Sequence, residues 1–146
     1  MKIAIGNDHA GLEAKQRLRE RLARQGHAVT DCGTGAPDSV DYPDFARAVA
    51  EAVAGGRAEC GILVCGTGIG MSITANKVRG VRAAKCNDPY EARMSRAHND
   101  ANVLCLGARV LDAAVMDEIV DGFLRTDFEA GRHARRVEKM MDAEGG

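Results

Sequence analysis

The sequence predicts an α/β fold: one domain with a parallel sheet and helices on both of its faces. Three observations lead there. Short apolar runs alternate five times with amphipathic stretches, the pattern of strands joined by covering helices. The run Cys60–Cys65 is almost unbroken in its apolarity, which suits a strand buried on both sides. The 146 residues contain no linker, repeat or low-complexity tract, and that length supports one ordinary core, so 1–146 is expected to be a single domain.

Element by element, Lys2–Ile5 is the first expected strand. Residues 11–25 form an amphipathic helix in which Ala14, Leu18 and Leu22 share one face, Glu13, Arg17, Glu20 and Arg24 the other, and Gly26 ends the helix. His27–Asp31 is the second strand. A turn-rich stretch follows over 33–40, with Gly, Pro, Asp and Ser. Pro43 opens a second helix that stops at Gly55-Gly56. After the strand Cys60–Cys65, a glycine loop (66–70) leads into a helix over 71–78. Strand 81–86, a helix from Pro89 to about His98, strand 103–106 and a helix over 112–124 complete the alternation. The tail, 131–143, reads as a further helix. It is polar and basic with little apolar face, so it is expected to lie against a second subunit.

Composition narrows the function. Twenty basic residues stand against 21 acidic ones, a net charge of −1, so no broad basic field invites nucleic acid or an anionic membrane. Aromatics make up 3% and Trp is absent, which leaves no stacking platform for bases. No apolar run approaches the roughly 20 residues that span a bilayer. Met1 runs straight into a strand pattern, and a cytoplasmic location is expected. The cysteines (Cys32, Cys60, Cys65, Cys86, Cys105) are odd in number and lack CxxC spacing, against a disulfide framework or a thiolate zinc site.

Ligands of open parallel sheets sit beyond the C-terminal strand ends. That rule singles out Asp8 and His9 after the first strand, Tyr42 in the connection after the second, Cys65 through Gly70 after the third and Arg109 after the fifth. His98 and Asn99, at the end of a helix, are expected on the same edge. Gly66, Gly68 and Gly70 allow backbone N–H groups to converge on an oxyanion, phosphate or enediolate, although the same glycines also suit a plain tight turn. Cys65 adjoins those amides. A free thiol with pKa near 8.5 is a few per cent thiolate at neutral pH; lowering it by about 1.5 units, or roughly 2 kcal/mol, would give about half. A buried core cysteine is the competing reading, and the one expected of Cys60, Cys86 and Cys105. His9 and His98 can serve as acid, base or anion donor. Asp8 can accept from a sugar hydroxyl or cap a helix. Arg132 and Arg136 are four apart on one helix face, costly unless an anion or acidic surface meets them, or else simply solvated.

Taken together, Gly6-Asn7-Asp8-His9-Ala10-Gly11, Asp41-Tyr42-Pro43, Cys65-Gly66-Thr67-Gly68-Ile69-Gly70, Ala75-Asn76-Lys77, the stretch Ser95 to Val103 and Gly131-Arg132-His133 resemble the ribose-5-phosphate isomerase B family, within a group that includes galactose- and allose-6-phosphate isomerases. The resemblance implies a Rossmann-like three-layer sandwich with a five-stranded parallel sheet and an extra C-terminal helix. It implies a homodimer, paired into tetramers in some members, with active sites shared between subunits. It implies aldose–ketose isomerisation of a phosphorylated sugar through an enediolate, with no metal or other cofactor. Under it, Cys65 moves the proton between C2 and C1, while Thr67 and the amides of Gly66, Gly68, Ile69 and Gly70 hold the enediolate. His98 with Asp8 opens the furanose ring, and Asn99 binds a substrate oxygen. His9, Arg132 and Arg136 bind phosphate, with Arg109 nearby and Tyr42 lining the site. A branch of the family carries a glutamate base six residues later; Met71 stands there here and cannot accept a proton.

Two rivals remain. A nucleotide-binding module could use Asp31 on a ribose, but Gly6–Gly11 lacks GxGxxG and Leu12-Glu13 replaces the Lys-Ser/Thr of a P-loop. A thiol sensor built on Cys65 lacks a CxxC partner. Ribose 5-phosphate is the default substrate, with allose 6-phosphate or a tetrose phosphate as the alternative.

Overall fold

The computed structural model describes residues 1–145. Five parallel strands form one sheet: β1 (Lys2–Asn7), β2 (Ala28–Asp31), β3 (Cys60–Cys65), β4 (Ala83–Lys85) and β5 (Val103–Gly107), in the order β2-β1-β3-β5-β4. The helices are α1 (Leu12–Arg24), α2 (Tyr42–Ala54), α3 (Ile69–Ala75), α4 (Pro89–Ala97), α5 (Ala113–Arg125) and α6 (Arg132–Asp142), and a 3-10 turn covers His9–Gly11. The expected α/β class and five-stranded parallel sheet are present, as is the extra C-terminal helix.

Side chains alternate across the sheet and so divide the core in two. Ile3, Ile5, Cys60, Ile62, Val64, Leu104 and Leu106 meet Leu18 and Leu22 of α1, Ala92 of α4, and Met116, Ile119, Val120 and Phe123 of α5. Ala4, Leu63, Cys65, Val103 and Cys105 meet α2 (Ala46, Val49, Ala50, Val53) and α3 (Met71, Ala75) on the other face. Central β3 is buried at all six positions, as its unbroken apolarity requires. On the first face α1 and α5 are also joined by ions: Arg21 grips Asp121 with two hydrogen bonds, 3.0 and 2.8 Å, and Arg17 reaches Asp117 at 2.6 Å.

Because α1 follows β1 onto one face and α3 follows β3 onto the other, the chain parts at the β1/β3 boundary, where doubly wound sheets place ligands. Two elements differ from expectation. β4 shrinks to three residues, since an edge strand pairs on one side only, here with β5. α3 begins at Ile69 rather than Met71, because Gly68 takes a left-handed φ of 80° and turns the chain into the helix at once. Among the described residues no helix is long and apolar enough to cross a membrane.

Candidate active site

The ends of β1, β3 and β5 bring one set of nominated residues together. Asp8 follows β1, and its Oδ1 accepts from the N–H groups of Ala10 (3.0 Å) and Gly11 (3.2 Å), capping the 3-10 turn. The capping reading of Asp8 is therefore realised, and its second oxygen is left for other work. Asn7, quoted in the motif but not nominated, is buried and donates from Nδ2 to the Asp8 carbonyl at 2.8 Å. Its Oδ1 has no partner among the described residues. His9 Nδ1 accepts from Val40 N–H at 3.2 Å. A neutral ring that accepts at Nδ1 carries its proton on Nε2 and so presents a donor.

The loop after β3 is tied to the end of β5: Ala108 N–H donates to the Cys65 carbonyl (2.8 Å) and Arg109 N–H to that of Gly66 (3.0 Å). Arg109 is exposed and lies along Gly66, where a Cβ would stand 3.3 Å from Nη1. Two glycines are obligatory here. Gly68 has positive φ, and a side chain on it would press on the Leu106 backbone; one on Gly70 would enter the Tyr42 ring. Ile69 and Thr67 are exposed, and Thr67 Oγ1 accepts from Ile69 N–H at 3.2 Å.

Cys65 is 5% exposed and packs in the second core cluster, as a core cysteine would. Its surroundings nonetheless set it apart from the other buried cysteines. Gly68 N–H donates to its Sγ at 3.1 Å, so the sulfur faces the amides of the loop. Burial, the largest cause, with help from nearby acidic groups, pushes the Cys60 and Cys86 thiols up to about 11, and burial drives that of Cys105 higher still; these three are core residues, as expected.

The remaining nominated residues gather elsewhere. α4 runs antiparallel to the strands, so His98, its C-cap, returns to the edge where strands begin. Asn102, just beyond, donates to the Arg82 carbonyl ahead of β4 and accepts from Gly61 N–H at the start of β3. His98 and Asn99 therefore do not share the loop's edge within one chain, contrary to expectation. They lie instead with the start of α6: the rings of His98 and His133 stack with centroids 4.1 Å apart. Arg132, Arg135 and Arg136 stand exposed, without an ion-pair partner among the described residues. Of α6, only His133 is buried. A cleft of about 610 Å3 opens between Asn99, Val81, Ala83 and Met140-Met141. Sequence reading missed Glu129, whose carboxylate lies 3.8 Å from His98 and 3.7 Å from His133. These three form the one group of possible metal ligands found among the described residues.

Asp31 is not free for a ribose. It pairs with Lys15 (2.7 Å) and Arg19 (3.0 Å) and accepts from Gly33 N–H. Partial burial opposes its charge, but the Lys15 hydrogen bond and the other donors outweigh that and hold its carboxyl below the usual range.

Known proteins share this fold. The Ribose/Galactose Isomerase family model matches residues 3–140. Ribose-5-phosphate isomerase B of Escherichia coli is 48% identical over 143 residues, 98% of this chain and 96% of that one. D-erythrulose-4-phosphate isomerase of Pectobacterium atrosepticum is 44% identical over 143 residues, 96% of this chain and 93% of that one. The solved ribose-5-phosphate isomerase B of Clostridium thermocellum matches with a TM-score of 0.98 at 52% identity, covering 99% of this chain and 97% of that one. With the family model matched over 3–140 and these relatives alike along nearly the whole length, the chain belongs to the ribose/galactose isomerase family.

Proposed function

We propose that this chain, acting as one domain over 1–146, interconverts ribose 5-phosphate and ribulose 5-phosphate through an enediolate, with Cys65 as the base. The observation that carries the reading is the 3.1 Å donation from Gly68 N–H to Cys65 Sγ, which turns the sulfur toward the glycine loop where a substrate oxyanion would be held. In the open-chain sugar, Cys65 takes the C2 proton as charge moves onto the carbonyl oxygen. Amides of Gly66–Gly70 and the Thr67 hydroxyl hold that charge; as the proton returns to C1, the hydroxyl proton on O2 passes to O1 and C2 becomes the carbonyl. No step calls for a metal, and chelator is expected to leave turnover unchanged.

Ring opening and phosphate binding require the other group of residues. On this reading two chains pair about a two-fold axis, so that His98, Asn99, Arg132 and Arg136 of each complete the edge carrying Asp8, His9, Tyr42, Cys65 and Arg109 of the other. The unpaired arginines and the scant burial of α6 support that pairing. The arginines clamp the phosphate, whose binding energy positions the reacting carbons, and His9 donates to it from Nε2. The proposed location of this chemistry is the cytoplasm.

A second substrate reading has support of its own: the 44% identical Pectobacterium relative carries the name of a tetrulose phosphate isomerase. Turnover of four-, five- and six-carbon aldose phosphates, each with and without chelator, separates the two. Highest kcat/KM on ribose 5-phosphate supports the first reading, and preference for a tetrose phosphate replaces it with the second.

A further inference from the structure

Two residues beside His98 have no task in the reaction as proposed. The His98 ring is stacked on that of His133 with their planes 12° apart. One oxygen of Glu129 lies within 4 Å of Nε2 on both rings. His133 is 6% exposed, whereas the His98 side chain is 37% exposed. One ring is thus a covered support and the other faces outward.

The backbone is arranged to produce this stack. Glu129 N–H donates to the Ala97 carbonyl at 3.0 Å, fastening the segment before α6 to the last residue of α4. Ala130 and Gly131 then both take positive φ, 55° and 54°. An alanine seldom adopts that conformation, and such strain persists where the surroundings enforce it. The turn brings α6 back so that its second residue, His133, lies on His98. Burial first, then the neighbouring His98 and Arg132, pushes the His133 pKa down; Glu129 opposes this and Arg136 adds to it. His133 is therefore an uncharged face near neutral pH. Parallel rings also direct their in-plane lone pairs the same way rather than toward one point, which suits a stack better than a shared metal ion.

We propose that His133 and Glu129 are positioning residues for His98. His133 holds the imidazole plane by stacking, and Glu129 draws the Nε2 edge to its carboxylate. His98 then meets a cyclic sugar phosphate in one orientation. This rests on His98 being the ring-opening group. In that step the anomeric hydroxyl loses its proton and its oxygen becomes the carbonyl oxygen. The bond from C1 to the ring oxygen breaks, and that oxygen takes up a proton. An imidazole that turns freely would be misaligned for these transfers much of the time.

Ribulose 5-phosphate separates this step from the rest. Its carbonyl is at C2 and its O5 is esterified, so it cannot close to a furanose. Deuterium wash-in at C1 in D2O therefore reports the base and the oxyanion loop without ring opening. With His133→Ala or Glu129→Gln, kcat on ribose 5-phosphate is expected to fall by about ten- to a hundredfold, with wash-in held within about twofold. His133→Phe, which keeps a flat ring, should recover most of the loss. Equal losses in both assays, or no loss in either, would overturn the proposal. Undiminished ribose 5-phosphate turnover in His98→Gln would remove the reading beneath it, and the proposal with it.

Discussion

The two ends of the sheet carry different kinds of chemical group. At the C-terminal end backbone dominates: the Gly68 amide of a glycine loop donates to a nearly buried sulfur, and Asp8 is held by two N–H groups. At the N-terminal end, side chains dominate: stacked imidazoles, a carboxylate and exposed arginines on α6. On the proposed reading the first end supplies the base and the oxyanion cradle, and the second the ring-opening acid/base and the cations. β5 alone, Val103–Gly107, separates them by about 13 Å at 3.3 Å per residue. One small substrate does not bridge both ends of the same chain, which is why the proposed reaction pairs each end with a second copy.

Removing the base tests the first end most severely. Cys65→Ala should lower turnover by about 10³-fold or more while calorimetry still registers ribose 5-phosphate binding. Wild-type rates in that variant would assign the base elsewhere. The contrast itself breaks or holds on complementation. Cys65→Ala and His98→Gln chains, each inactive, should recover about a quarter of wild-type activity on co-refolding, since half of the dimers are mixed and each has one intact site. Absence of recovery, with mixed dimers present by native mass spectrometry, would show that each chain supplies its own site.

Smaller effects distinguish side-chain work from backbone work. Arg136→Ala should raise KM for ribose 5-phosphate by about tenfold or more with kcat little changed, since a phosphate handle contributes binding and positioning. A loss confined to kcat would argue against that role. Gly70→Ala places a methyl in the Tyr42 ring, and overpacking of that kind costs about 1–3 kcal/mol, read as a lower Tm by calorimetry. An unchanged Tm would mean that Tyr42 swings aside freely.

The same contrast explains what could be read in advance. β3 came out with its expected bounds because burial on both faces leaves a continuous apolar run. The C-terminal end was legible because its residues directly follow strands, and the topological rule converts that into a place. His98 follows a helix that reverses direction, so its end of the sheet depends on where α4 lies. Glu129 and His133 were illegible for a different reason: their relation to His98 is a stack across a turn set by Ala130 and Gly131, and no periodicity encodes it. Asp31 was misleading as a lone acid after a strand, because its partner Lys15 sits on the buried side of α1, where an apolar residue is the usual occupant.

The gentlest probe is protons. In the fold His133 titrates below its ordinary value, chiefly because burial disfavours its charged form. Near neutral pH it is uncharged folded or unfolded, and it adds no pH dependence. As pH falls through about 6.5, the unfolded chain takes up a proton that the folded chain resists, so stability declines with falling pH until the folded site also titrates. His133→Phe retains a buried ring and removes the proton, so the fall in urea midpoint between pH 7 and 5.5 should be shallower than in wild type. Equal slopes would mean that His133 accepts its proton as readily in the fold as out of it. The stack would then be two interchangeable imidazoles rather than one support beneath one reactive ring.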